Sequence, residues 1–221
     1  MKQIIRFSLL LYSFYSFGQL PEGFVYVNEI IPSLNVELKY FSEKNFIGKP
    51  IEGYKSNKLI LTKQTAEALK LINKHLKNKR LSLKVYDGYR PQRAVNHFIR
   101  WAKNLNDTIN KSIYYPNVNK KDLFKEEYIA AKSGHSKGST VDLTIIDTDT
   151  GKLLDMGSIY DFFGVQSWVN YEGITEEQKA NRKLLHEVMT KFGFKNYPRE
   201  WWHFTLKDEP FSNSYFDFPV E

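Results

Sequence analysis

Hydrophobic positions along the chain switch between a helical and a strand period. Residues 61–79 place Ala68, Leu69, Ile72 and Leu76 on one helical face. Residues 81–86 alternate Leu81, Leu83 and Val85, as a half-buried strand does, and the turn pair Asp87-Gly88 stops them. Pro91 suits the first position of a helix that carries Val95, Phe98, Ala102 and Leu105 at helical spacing. Residues 106–132 are polar, with Tyr114, Tyr115 and Pro116 among them, and read as an irregular connection. Residues 140–146 alternate again: Val141, Leu143 and Ile145 share one face, Asp142 and Thr144 the other. Thr175 and Gln178 have the spacing of a capping box, which opens a helix through Ala180, Leu184, Val188 and Phe192 that Gly193 ends. A last strand is expected over residues 201–206. Short strands, hairpin-like turns and intervening helices predict an α+β fold with a small, mainly antiparallel central sheet flanked by helices.

The first 18 residues stand apart. Lys2 and Arg6 precede an apolar run from Phe7 to Phe17, with small Ser16 and Gly18 after it. That is the pattern of a secretory signal peptide over residues 1–18, and it predicts an exported protein, periplasmic or secreted. The run is shorter than the ~20 residues of a membrane span. The competing readings are a buried N-terminal helix and an uncleaved anchor. No Pro/Gly/Ser linker divides the remainder, so residues 19–221 are expected to form one domain.

Composition narrows the chemistry. The net charge is +7, of which two units sit in the leader. The basic residues are scattered and no basic stripe with interleaved aromatics appears, so a nucleic-acid partner is not expected. The chain has no cysteine. Disulfides and thiolate metal sites are therefore excluded, and any transition metal must be held by His, Asp or Glu.

Only five histidines are present. His75, His97 and His186 fall within periodic helices, whereas His135 and His203 sit in unusual company. The segment Ser133-Gly134-His135-Ser136-Lys137-Gly138-Ser139-Thr140-Val141-Asp142 sets a loop histidine before a strand aspartate, so the two donors can converge. A charged Asp on the inner side of a sheet needs a cation or a full set of hydrogen bonds. The plainer reading is a Gly/Ser turn before an ordinary strand Asp. In Arg199-Glu200-Trp201-Trp202-His203-Phe204, Glu200 is expected in the loop before the strand, turned back toward His203, with the Trp rings drying its surroundings and raising its proton affinity. The plainer reading there is an aromatic core strand with a satisfied histidine. Taken together, His135, Asp142 and His203 make a three-ligand set for catalytic zinc, one per chain, and Glu200 is the non-ligand carboxylate that would act as acid/base. Arg90, presented at the turn Asp87-Gly88-Tyr89-Arg90-Pro91, suits a developing oxyanion, or else pairs with Asp87 on the surface.

These segments, in this order, resemble the D-alanyl-D-alanine dipeptidases of the zinc D-Ala-D-Ala metallopeptidase superfamily, whose hedgehog-like fold is then expected. The patterns DGYRP, SxHxxGxxxD and ExWH stand at residues 87–91, 133–142 and 200–203. Tyr40, Asn45-Phe46-x-Gly48, Gly53-Tyr54 and Asp155-Met156-Gly157-x-x-x-Asp161-x-Phe163 extend the likeness to about residues 24–208 and point to the dipeptidase branch. The resemblance implies His135, Asp142 and His203 as zinc ligands, Glu200 as catalytic base and Arg90 as transition-state stabiliser. It further implies Ser133 at the substrate carboxylate, and Asp161, with Tyr40 beside it, at the substrate ammonium. A dipeptide is a zwitterion, so an anion at one end of the pocket and donors at the other suit it. Residues 164–172 match no motif and are expected to alter the pocket wall.

The expected reaction is zinc-dependent hydrolysis of D-Ala-D-Ala in cell-wall peptide turnover. Two readings compete with it. One is a D,D- or L,D-carboxypeptidase acting on longer peptidoglycan stems, and the other is a non-catalytic zinc-containing binding module. Small dipeptides, and beyond them peptidoglycan fragments, are the expected partners, and no stable membrane anchor is expected.

Overall fold

The computed structural model describes residues 20–221, so the predicted signal peptide lies outside the described residues. The strands are β1 (Phe24–Tyr26), β2 (Asn35–Val36), β3 (Ile60–Thr62), β4 (Leu81–Asp87), β5 (Thr140–Asp147), β6 (Phe194–Asn196) and β7 (His203–Leu206). The helices are α1 (Val27–Ile30), α2 (Lys63–Lys77), α3 (Gln92–Lys103), α4 (Lys111–Tyr114) and α5 (Glu176–Lys191). Five strands form the central sheet in the order β2-β4-β5-β7-β6, and β1 pairs with β3 in a separate ribbon. Only β2–β4 is parallel; the other pairings of the sheet are antiparallel, as the sequence predicts.

β5 lies at the centre, and Val141, Leu143 and Ile145 are fully buried on one of its faces. α2 packs against the neighbouring β4 and buries Ala66, Leu69, Ile72 and Leu76; Ala68 is only partly buried, at the edge of the apolar stripe. The first residues of the expected helix, 61–62, belong instead to β3. Pro91 caps α3 rather than opening it, and the helix stops at Lys103, leaving Leu105 exposed.

α5 has the predicted capping box, with both reciprocal bonds formed between Thr175 and Gln178. Its buried face is Arg182, Leu185, Val188 and Met189, which is rotated from the expected one: Ala180 is exposed, and Leu184 and Phe192 are partly buried. The cause is Arg182. Its guanidinium is buried and donates to the carbonyls of Met156, Gln166 and Trp168, so a residue counted as polar surface faces inward. Residues 106–132 are irregular apart from α4 and one short 3₁₀ turn.

Candidate active site

The sheet register assembles half of the site. Asp142 on β5 stands opposite Asp87 on β4 and opposite His203 on β7. Directly paired residues share a face, so these three side chains form one row across the sheet. The β4–β5 register slips between Val85 and Asp87. In an unbroken ladder Tyr86 would face Asp142. The bulge takes up Tyr86 as an extra residue and brings Asp87 onto the Asp142 side.

The loop before β5 supplies the other histidine. Residues 134–137 form a single 3₁₀ turn capped by Ser133, whose hydroxyl accepts from the His135 amide at 3.3 Å. The turn closes at Gly138 with φ +80, where a Cβ would lie 2.2 Å from the Phe24 ring; the glycine of the His-x-x-Gly pattern is required by backbone and space alike. The His135 ring is then fixed by Nδ1 donating to the Gly88 carbonyl at 2.8 Å, which turns Nε2 toward the row of acids.

His135 Nε2, Asp142 Oδ1 and His203 Nδ1 converge. Asp142 Oδ1 is 3.2 Å from His135 and 3.0 Å from His203, and the two imidazole nitrogens are 3.3 Å apart. Three ligands on a tetrahedral ion with ~2.0–2.1 Å bonds would be separated by about 3.3 Å. His135 and Asp142 are almost wholly buried, and Asp142 Oδ1 is a buried acceptor with no hydrogen bond. A nitrogen, nitrogen, oxygen donor set at this spacing around an orphaned carboxylate oxygen fits zinc. His75, His97 and His186, on α2, α3 and α5, take no part in the cluster.

The electrostatics agree. Burial would raise the Asp142 carboxyl, but the imidazoles of His135 and His203 outweigh it and hold Asp142 far below the usual carboxylate range. Burial would lower His203, and the Asp142 carboxylate 3.0 Å from its Nδ1, with Glu200 behind it, raises it instead. Such a cluster favours a cation at its centre, whether protons or a metal.

Glu200 is where the sequence expects it, with Oε2 3.3 Å from His203 Nδ1 and its side chain 28% exposed to the cavity. The geometry comes from a longer turn than predicted. β7 starts at His203, and Trp201 and Trp202 belong to the turn before it. The Asn196 amide holds that turn by donating to the carbonyls of Glu200 and His203 at 3.0 and 2.7 Å. On a straight strand, residues three apart would point to opposite faces. Burial, and next among the raising effects the Asp142 charge, push the Glu200 carboxyl up, while His203 and Arg90 oppose them. The direction is the predicted one, and the cavity beside Glu200 is also walled by Tyr128 and Tyr197.

Arg90 is not a surface turn residue. Its Nε donates to Asp87 at 2.8 Å, its Nη2 reaches Asp142 Oδ2 at 3.5 Å, and its guanidinium lies 4.9 Å from the Tyr40 ring centroid. Asp87 is completely buried and also accepts from Tyr54 Oη at 2.6 Å. The Asp87–Arg90 pair that the sequence allows is therefore present but buried rather than on the surface, and Tyr54, expected only from the N-terminal likeness, completes it.

His135, Asp142, His203, Glu200, Arg90 and Tyr40 open onto one cavity of about 280 Å³. That is just below the roughly 300–1,000 Å³ of ordinary ligand pockets and suits a small ligand. Ser133 lines it, and so do the apolar side chains Phe46, Val95, Phe98, Ile129 and Phe163. Asp161 lines it too, 7% exposed and hydrogen-bonded by Tyr40 Oη at 2.9 Å. Asp161 has φ +60, a strained conformation that Asp tolerates better than most residues. Burial and the Asp142 charge raise its pKa well above the ordinary value. Residues 164–172, expected in the pocket wall, do not line it. They prop the Glu200 turn from behind, with Trp201 N donating to the Ser167 carbonyl and Val169 N to that of Pro198.

The chain matches the peptidase family described as D-ala-D-ala dipeptidase over residues 21–221. A D-alanyl-D-alanine dipeptidase of Enterococcus faecium is 41% identical over 90% of this chain and 98% of its own. One of Streptomyces coelicolor is 40% identical over 89% of this chain and 98% of its own. Among solved structures, a vancomycin-resistance D,D-pentapeptidase mutant in complex with Zn(II) is a distant likeness. It is 17% identical at a TM-score of 0.41, over 69% of this chain and 75% of that one.

Proposed function

The chain belongs to the D-ala-D-ala dipeptidase family of peptidases, and on that premise we propose that it hydrolyses D-Ala-D-Ala to two molecules of D-alanine, with one zinc held by His135, Asp142 and His203. The observation that carries the reading is the convergence of those three donors beside Glu200, at the mouth of a small cavity with a buried carboxylate in its wall.

His135, Asp142 and His203 would hold the zinc, which would supply Lewis acidity to acidify the attacking water and polarise the scissile carbonyl. Glu200 takes the proton as the water oxygen adds to the carbonyl carbon, and delivers it to the nitrogen as the C–N bond breaks. A carboxyl raised by burial is suited to both halves of that transfer. Arg90, locked by Asp87 and lining the cavity, stabilises the oxyanion. Asp161, with Tyr40, receives the substrate ammonium, and Ser133 receives the carboxylate. An ammonium seated on a walled-in aspartate leaves no path for a longer chain beyond the substrate's amino end.

D-alanine release from D-Ala-D-Ala and from a pentapeptide stem tests this directly. The dipeptide should be cleaved and the stem left intact; efficient trimming of the stem would instead make the protein a carboxypeptidase. The positive-then-apolar leader, Lys2 and Arg6 before residues 7–17, supports export and a place in turnover of cell-wall peptides outside the cytoplasm. Fractionation of cells expressing the full chain should find it outside the cytoplasm, shortened near residue 18.

A further inference from the structure

Behind Asp142 stands Tyr160, which no motif singles out. Its ring is buried, stacked on Tyr86 at 4.8 Å between centroids and edge-on to Trp202 at 5.4 Å. That packing aims the hydroxyl at the Asp142 carboxylate, and Tyr160 Oη donates to Oδ2 at 3.0 Å. The two carboxylate oxygens are thereby divided. Oδ1 faces His135 and His203 and has no hydrogen bond, while Oδ2 takes the Tyr160 proton. Arg90 Nη2 contacts the same oxygen only at 3.5 Å, its strong bond being the one to Asp87. The Tyr160 hydroxyl also lies 3.3 Å from that of Tyr40, which holds Asp161.

We propose that Tyr160 is a positioning residue for Asp142, its hydroxyl engaging Oδ2 so that Oδ1 alone is presented to the metal. The terminal torsion of an aspartate is soft, and a carboxylate free to rotate can swing both oxygens toward a cation or neither. A donor fixed by two aromatic contacts removes that freedom at the cost of no additional charge. Partners of this kind, one bond behind a ligand, are worth about 10- to 100-fold in metal affinity or activity.

The inference rests on Asp142 being a metal ligand, and the test separates the two. Zinc affinity is measured by competition with a chromophoric chelator on the parent and on Tyr160→Phe, at a temperature where both zinc-free proteins are folded. The Phe variant keeps the ring and its packing and removes only the hydroxyl. We expect the zinc-free melting temperature to be unchanged and zinc affinity to fall by about ten-fold or more. Equal affinity in the two proteins overturns the inference, and so does a lowered melting temperature at unchanged affinity, which would make the hydroxyl structural only. Failure of the parent itself to bind zinc would overturn the metal assignment instead.

Discussion

The two ends of β5 carry the same side chain in opposite circumstances. Asp142, near the start of the strand, is 2% exposed and faces two imidazoles, a tyrosine hydroxyl and a guanidinium. Asp147, at its end, is half-buried at the surface and accepts from the amides of Asp149 and Thr150 and from the Thr150 hydroxyl. Both carboxyls are held below their ordinary pKa, Asp147 mainly by the amide of Thr150, Asp142 by histidines that outweigh its burial. One aspartate satisfies itself within its own turn. The other meets only groups brought from β7, the loop before β5, the turn after β4 and the segment after β5, and its Oδ1 still has no hydrogen bond. A carboxylate that the fold has assembled around but left incomplete is a ligand; one that is complete in its own turn is a cap.

Breaking the first end should have the largest effect. Asp142→Ala should abolish zinc binding and reduce dipeptide hydrolysis to background, read by metal analysis and D-alanine release. Glu200→Gln should sharpen the contrast: zinc binding is retained, while kcat falls by roughly 10²- to 10⁴-fold, the range for loss of a general acid/base.

Asp161→Asn should act on binding and stability in opposite senses. The folded protein keeps a proton on Asp161 that the unfolded chain gives up near 3.8, so this residue costs stability as pH climbs from there to its raised folded-state value. The zinc-free variant should therefore melt higher than the parent at neutral pH. Its KM for the dipeptide should rise, and the parent's fall in KM with increasing pH, as Asp161 ionises to receive the ammonium, should vanish.

Asp147→Ala is the smallest change: full activity and zinc affinity, and a slight loss of melting temperature. Because the Asp147 pKa is lowered on folding, that loss should be present above pH 3.8 and fade as pH falls below it toward the folded-state value.

What was legible in the sequence follows from the range of the forces involved. The period-2 run of β5 put Asp142 on the face opposite Val141 and Leu143, and the Gly-bracketed His135 and the aromatic segment around His203 stood out against five histidines. Those are local signals. The bulge that brings Asp87 beside Asp142 is a property of β4–β5 pairing between residues some 55 apart, and no local pattern encodes it. The inward face of α5 was misplaced because Arg182 is satisfied by carbonyls from a distant segment, which a hydrophobicity period cannot register. Tyr160 escaped notice for the same reason: its neighbours Tyr86 and Trp202 meet it only in three dimensions.

The most direct test is a zinc titration of the metal-free protein with D-alanine release from D-Ala-D-Ala as the readout, run beside Glu200→Gln. The account predicts that activity rises and saturates at one zinc per chain, while Glu200→Gln takes up the same single zinc and stays nearly inactive. A parent that binds its zinc and releases no D-alanine, or a Glu200→Gln protein that turns over at the parent's rate, would contradict it.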